Sequence, residues 1–225
     1  MYPQKTRQTI GRMLLLSAVC LAVSACKIEH KSSVAQQKAA AGSFENKSFD
    51  PQAEVAAMWD SKAVPAIAAM ALDFPSLRKE MAANLDAAGA KHGHREKGEG
   101  APWNMATTVT GTVVAAETEL SAGTADIDVD GDGKADVQIQ IGPVLRGATI
   151  RDILPFVSFT SYTNQIDFAQ LANALNARAF EASTLKAADR SKLKGQKVEL
   201  TGIFTADSAA DLPVLTVTAF KVLAK

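Results

Sequence analysis

An α+β fold is predicted by three features of this 225-residue chain. A period of three to four residues marks the apolar positions between residues 49 and 104. From Met105 onward the period is two, and a single helical stripe from Phe168 to Ala179 interrupts it. The second half therefore runs three strands, a helix, two strands, the order of an OB-like five-stranded antiparallel barrel with an inserted helix that plugs one end. An N-terminal helical region precedes it, and an open antiparallel sheet with a covering helix fits the same alternation. With 47% hydrophobic and 21% charged residues, the composition suits one sizeable domain and excludes a disordered or coiled-coil chain.

The chain opens with Lys5, Arg7 and Arg12, followed by the apolar run Met13–Val23. Eleven residues rise about 16 Å as a helix, half of the roughly 30 Å hydrocarbon core, so the run reads as a signal peptide over residues 1–25 rather than a membrane span. It ends in Val23 Ser24 Ala25 Cys26, which resembles a bacterial lipobox and predicts cleavage before Cys26 and acylation of its thiol. Several acyl chains anchor a protein stably where one does not. Lys27 follows the cysteine where an aspartate would signal retention, so the expected location is the periplasmic face of the envelope, with the outer membrane favoured over the inner. Residues 26–48 then read as the lipidated N-terminus and a flexible stalk.

The body is expected as a helical region, 49–104, packed on a barrel region, 105–225. Asp50 caps a helix that Pro51 opens, with Val55, Met58 and Trp59 on its apolar side. A second helix is expected from Pro75 to Ala88, with Gly89 as its stop. In the second half Met105, Thr107, Val109, Gly111 and Val113 share one face. Two further strands, around Ala125–Val129 and Ala135–Ile141, meet in a hairpin at Gly131 Asp132 Gly133. An irregular stretch from Pro143 to Tyr162 leads to Asn164 and Asp167, which cap the next helix. Strands at Val198–Phe204 and Val214–Val222 follow.

Asp128, Asp130, Asp132 and Asp136, with Gly133 after the third, match the first nine positions of an oxygen-ligand calcium loop, and Lys134 is permitted where only a carbonyl is needed. Position twelve is Ile139 instead of a bidentate glutamate, so the expectation is a weak structural Ca2+ site, or one that recruits Gln138 or an acidic side chain from elsewhere. The alternative is a solvated Asp-Gly turn. Repulsion between Asp128 and Asp136 calls for a cation or a proton. A second candidate surface follows it. Arg146, Arg151, Asp152, Asn164 and Gln165 form a polar floor for a small polar ligand, and Tyr162, with Phe156 and Phe159, supplies aromatic walls; core packing is the competing reading of the phenylalanines. His92 and His94 share a face but sit in what reads as a solvated glycine-rich loop without a third ligand.

The strings Asp128–Asp136, Ile141 Gly142 Pro143 Val144, Arg146 Gly147, Arg151 Asp152, Leu154 Pro155 Phe156 and Thr163 Asn164 Gln165, together with Phe49 Asp50 Pro51 and the lipobox, resemble a family of bacterial predicted periplasmic lipoproteins, domain of unknown function 2291. The resemblance spans the whole chain. It implies an accessory of sugar ABC-transport loci and no established activity.

Removing the three basic residues of the signal peptide leaves 21 basic against 24 acidic residues, a charge of −3 that gives no attraction to nucleic acid. Cys20 and Cys26 are the only cysteines, which excludes thiolate metal sites in the body. No nucleophile elbow is present, and the crowded aspartates look more like an ion cage than an acid and base, so no catalytic residue is expected. The reading is a lipid-anchored accessory or binding module, contacting membrane lipid through acylated Cys26 and either an ABC-transport component or a small polar ligand. The alternatives are an envelope saccharide hydrolase and a purely structural interaction protein.

Overall fold

The computed structural model describes residues 49–96, 101–208 and 212–223; the signal peptide, Cys26 and the stalk lie outside the described residues. Asp50 caps α1 (Pro51–Met58), its Oδ1 accepting from the backbone N–H groups of Gln52 and Ala53 at 3.0 and 3.1 Å. A π turn, Trp59–Ala63, joins α1 to α2 (Val64–Met70). Pro65 has no N–H to give, and the wider turn closes through Val64 N–H donating to Trp59 C=O.

The helix expected over 75–88 is two helices. Asn84 breaks it with extended backbone (φ −163°, ψ 106°), ending α3 (Phe74–Ala83) and capping α4 (Leu85–His92), where its Oδ1 accepts from Ala87 N–H at 2.9 Å. Asparagine competes with helix backbone through such bonds, so it favours the cap over the interior. Gly89 is not a stop. It is buried within α4, and a Cβ there would stand 2.2 Å from the Trp103 ring, so its small size lets the indole pack on the helix.

The sheet has seven strands, not five, and is not antiparallel throughout. Two-residue strands β1 (Leu72–Asp73) and β2 (Gly93–His94) pair along one edge of the fifteen-residue β3 (Trp103–Glu117). Then come β4 (Thr124–Asp128), β5 (Val137–Gln140), β6 (Lys197–Ala206) and β7 (Val214–Val222). Neighbours run β3–β4–β5–β7–β6, and β6 pairs back onto β3 from Trp103↔Ala206 to Thr112↔Lys197, so the pairings form a ring. Within it β5 and β7 run parallel. A ring leaves its long strands no free edge.

Period-two patterning gives two cores. The inward residues of β3, including Met105, Val109 and Val113, meet Ile127, Ile139, Leu200, Phe204, Leu215 and Val217 inside the ring. Phe74, Leu77 and Met81 of α3 join them, so α3 contributes to this interior where the inserted helix was expected to do so. That helix, α6 (Gln165–Ala182), faces a second core. Its Leu171, Ala174, Leu175 and Ala179 pack with Val55, Trp59 and Ile67, with Ile150 of the single turn α5 (Thr149–Asp152), and with Ala106 and Ile203 on the outer side of β3 and β6.

Candidate functional site

The eight residues between β4 and β5 turn through two glycines in left-handed backbone, Gly131 at φ +87° and Gly133 at φ +83°. Those angles are unstrained only for glycine. The turn folds the aspartates back on their own chain. Asp128 is buried and accepts from Gly131 N–H at 2.6 Å and Gly133 N–H at 2.8 Å, one on each carboxylate oxygen. Asp136 Oδ2 accepts from Val129 N–H at 2.9 Å and more weakly from Asp130 N–H at 3.4 Å. One oxygen from each of Asp128, Asp130 and Asp136 lies within 4.8 Å of the others, an arrangement that could chelate a divalent ion.

Asp132 is not in this group. Its carboxylate faces Lys134, whose backbone N–H and ammonium approach at 2.8 and 3.0 Å and hold its carboxyl below the usual range. Ile139 is fully buried inside the ring and cannot reach the turn. Gln138 gives its amide N–H to Asp126 at 2.9 Å. Arg78 of α3 is the participant that the sequence did not disclose. Its guanidinium donates to Asp136 Oδ1 at 2.8 Å and supplies part of the compensation that the crowded carboxylates require. A cavity of about 350 Å³ separates α3 from the turn, with Phe74, Pro75, Ala82 and Val129 as its apolar walls and Arg78 and Asp130 among its polar ones.

The expected polar floor is brought together only in part: Arg151, Asp152 and Tyr162 meet around the Phe168 ring. Arg151 stacks 3.6 Å over the Phe168 ring, pairs with Asp152 at 2.7 Å and donates to Phe168 C=O at 3.1 Å. Burial nevertheless pushes the Asp152 carboxyl up, against the pull of Arg151. Tyr162 packs edge-on to Phe49 and donates its hydroxyl to Glu54 Oε1 at 2.6 Å. Burial, then that hydrogen bond, raises its phenol above the ordinary range. Asn164 caps α6 through Asp167 N–H at 2.9 Å, and Gln165 is the exposed first residue of the helix. Arg146 lies apart from them, on a different cavity.

His92 and His94 are half-buried at the end of α4 and in β2, and not in a solvated loop. Their Nδ1 atoms meet Met70 C=O at 3.2 Å and Asp152 C=O at 2.9 Å, so each Nδ1 carries a proton and each ring is fixed separately. Among the described residues the aspartate trio is the one group spaced to hold a metal, and no helix is long and apolar enough to cross a membrane.

No curated protein matches the chain. An OB-fold protein from Thermotoga maritima of known crystal structure is similar to it with a TM-score of 0.59 and 15% identity, covering 78% of this chain and 99% of that one; at this identity the likeness shows the fold. The family signature described as "Predicted periplasmic lipoprotein (DUF2291)" matches residues 16–221, and the chain belongs to that family.

Proposed function

We propose that this protein is a lipid-anchored periplasmic accessory or binding module, held by acylated Cys26, whose β4–β5 turn takes a weak structural calcium ion. The observation that carries the calcium reading is the convergence of Asp128, Asp130 and Asp136 within 4.8 Å. Calcium–oxygen distances of about 2.3–2.6 Å place opposite ligands roughly 4.6–5.2 Å apart, so three oxygens within 4.8 Å of one another can share one such ion, and an irregular trio on a turn suits the flexible coordination of calcium better than the near-ideal octahedron of magnesium. The ion replaces Arg78 as the compensating charge on Asp136. With Ile139 in the closing position, the expected dissociation constant is about 10⁻⁴ to 10⁻³ M, adequate outside the cytoplasm. The ring of strands serves as a closed OB-type barrel that carries the turn. Family membership supports the envelope location; the outer membrane and a sugar ABC-transport component are the location and partner proposed with it.

Titration calorimetry and thermal melts test the ion. Calcium at a hundredfold excess over its constant adds about 2.7 kcal/mol of stability. Asp130→Asn weakens that response while leaving the calcium-free protein as stable or slightly more so. Neither heat nor a melting shift at about 5 mM calcium, several times the weakest constant expected, leaves the solvated turn.

A further inference from the structure

A second cavity, of about 300 Å³, opens beside the β6–β7 connection, far along the chain from the aspartate turn. Arg146, Asp207, Thr149 and Thr216 supply its polar wall, and Leu212, Pro213 and Val214 an apolar one. Its volume lies at the lower end of small-molecule sites, about 300–1,000 Å³.

Two buried amides fix the loop that carries Arg146. Gln140 of β5 binds both backbone groups of that residue, its Oε1 accepting from the N–H at 2.6 Å and its Nε2 donating to the C=O at 3.0 Å. Asn176 of α6 donates to the C=O groups of Leu145 and Gly147 at 3.2 and 2.9 Å, and Gly147 turns at φ +89°. Burying an amide is unfavourable unless it is bonded, and here two are committed to three residues of loop. These bonds fix the backbone that carries Arg146; its exposed side chain has no hydrogen bond or ion pair among the described residues, nor has that of Asp207, also exposed.

The floor also holds a donor in reserve. Gln140 Nε2 spends its second hydrogen on Thr216 Oγ1 at 3.0 Å, and Thr149 and Thr216 share one hydroxyl hydrogen across 3.0 Å. Thr149 donates within the pair, so the hydroxyl hydrogen of Thr216, a residue of the cavity lining, is the one left without a partner among the described residues.

We propose that this cavity binds a neutral polyhydroxylated molecule of monosaccharide size. Arg146 and the threonine pair donate to ring hydroxyl oxygens, Asp207 accepts from a neighbouring hydroxyl, and Leu212, Pro213 and Val214 cover the C–H face. Opposite charges on one wall favour neither an anion nor a cation. A hydroxyl, which both donates and accepts, satisfies all three groups. The inference is independent of calcium at the turn.

The test uses the full lipidated chain in a detergent without a sugar headgroup. D-Ribose, D-xylose, D-glucose, D-galactose and D-mannose are assayed by saturation-transfer NMR and calorimetry, with D-gluconate and D-glucosamine as charged contrasts. At least one neutral sugar is expected to bind. Arg146→Gln weakens it about tenfold or more without shifting the sugar-free melting temperature, and Lys79→Gln, on the other cavity, leaves it unchanged. The proposal is overturned if no neutral sugar binds the wild type, if a charged contrast binds more tightly than all of them, or if Arg146→Gln has no effect.

Discussion

The Tyr162 hydroxyl ties Glu54 of α1 to the segment leading into α6, and its raised pKa makes this link sensitive to alkali. A phenol whose folded value lies above the unfolded one, about 10, contributes stability that is fully present below pH 10 and is lost as pH rises through the folded value. Tyr162→Phe should therefore cost about 1 kcal/mol near neutrality, the size of an ordinary intramolecular hydrogen bond. The difference from wild type should shrink above pH 10, as urea melts at pH 7, 9 and 11 would show; a constant difference across that range would refute the assignment. Neither Tyr162–Glu54 nor Arg78–Asp136 was legible beforehand, because the partners stand 108 and 58 positions apart and their own neighbourhoods say nothing of each other. The aspartate turn was legible because its spacing and glycines are local. Asp132 stands outside the trio because its carboxylate takes the backbone N–H and ammonium of Lys134, two residues away.

Among the elements, β6 best shows what alternation can and cannot reveal. Val198, Leu200 and Phe204 face the ring interior as the period of two requires, and Gly202 is buried between them, where a Cβ would press on Leu215 at 3.0 Å. Phe204→Ala should cost about 3–5 kcal/mol through lost burial and a cavity, while Thr201→Ala, half-exposed on the opposite side, should cost little. Denaturant midpoints measure both, and an unshifted midpoint for Phe204→Ala would place the ring on the wrong side. Ile203 is fully buried too, which alternation alone does not foretell: the outer face of β6 has its own core beneath α1 and α6. The two-residue strands β1 and β2 were invisible because two residues display no period, and the division at Asn84 was hidden because apolar spacing continues across it from Met81 to Leu85 and Ala88.

For the molecule as a whole, the order of three strands, a helix and two strands was readable from the change of period, and the ring of pairings follows it. Which helix meets the ring interior was not, because α3 and α6 both present apolar stripes and only tertiary packing allots them. Attachment to the envelope is checked at Cys26. Replacing it by Ser should move the protein from the membrane fraction to the soluble periplasm or leave the precursor uncleaved, with the acyl mass lost by intact mass spectrometry. Wild-type protein that begins at another residue and carries no lipid would contradict the anchor.

The pairing of β3 with β6 also sets a timetable. Met105 meets Phe204 about 100 residues later in the chain, and the other rungs of that ladder span similar loops. Until Lys197–Ala206 is available, β3 has a long edge of unpaired backbone N–H and C=O groups, a template for association with other chains. Loop-closure entropy must be met before these distant contacts give any return, so folding is expected in milliseconds to seconds rather than microseconds. A chain delivered N-terminus first across a membrane thus leaves this edge unpaired until Lys197–Ala206 has followed it, and a periplasmic holding chaperone acting on β3 would protect it through that interval.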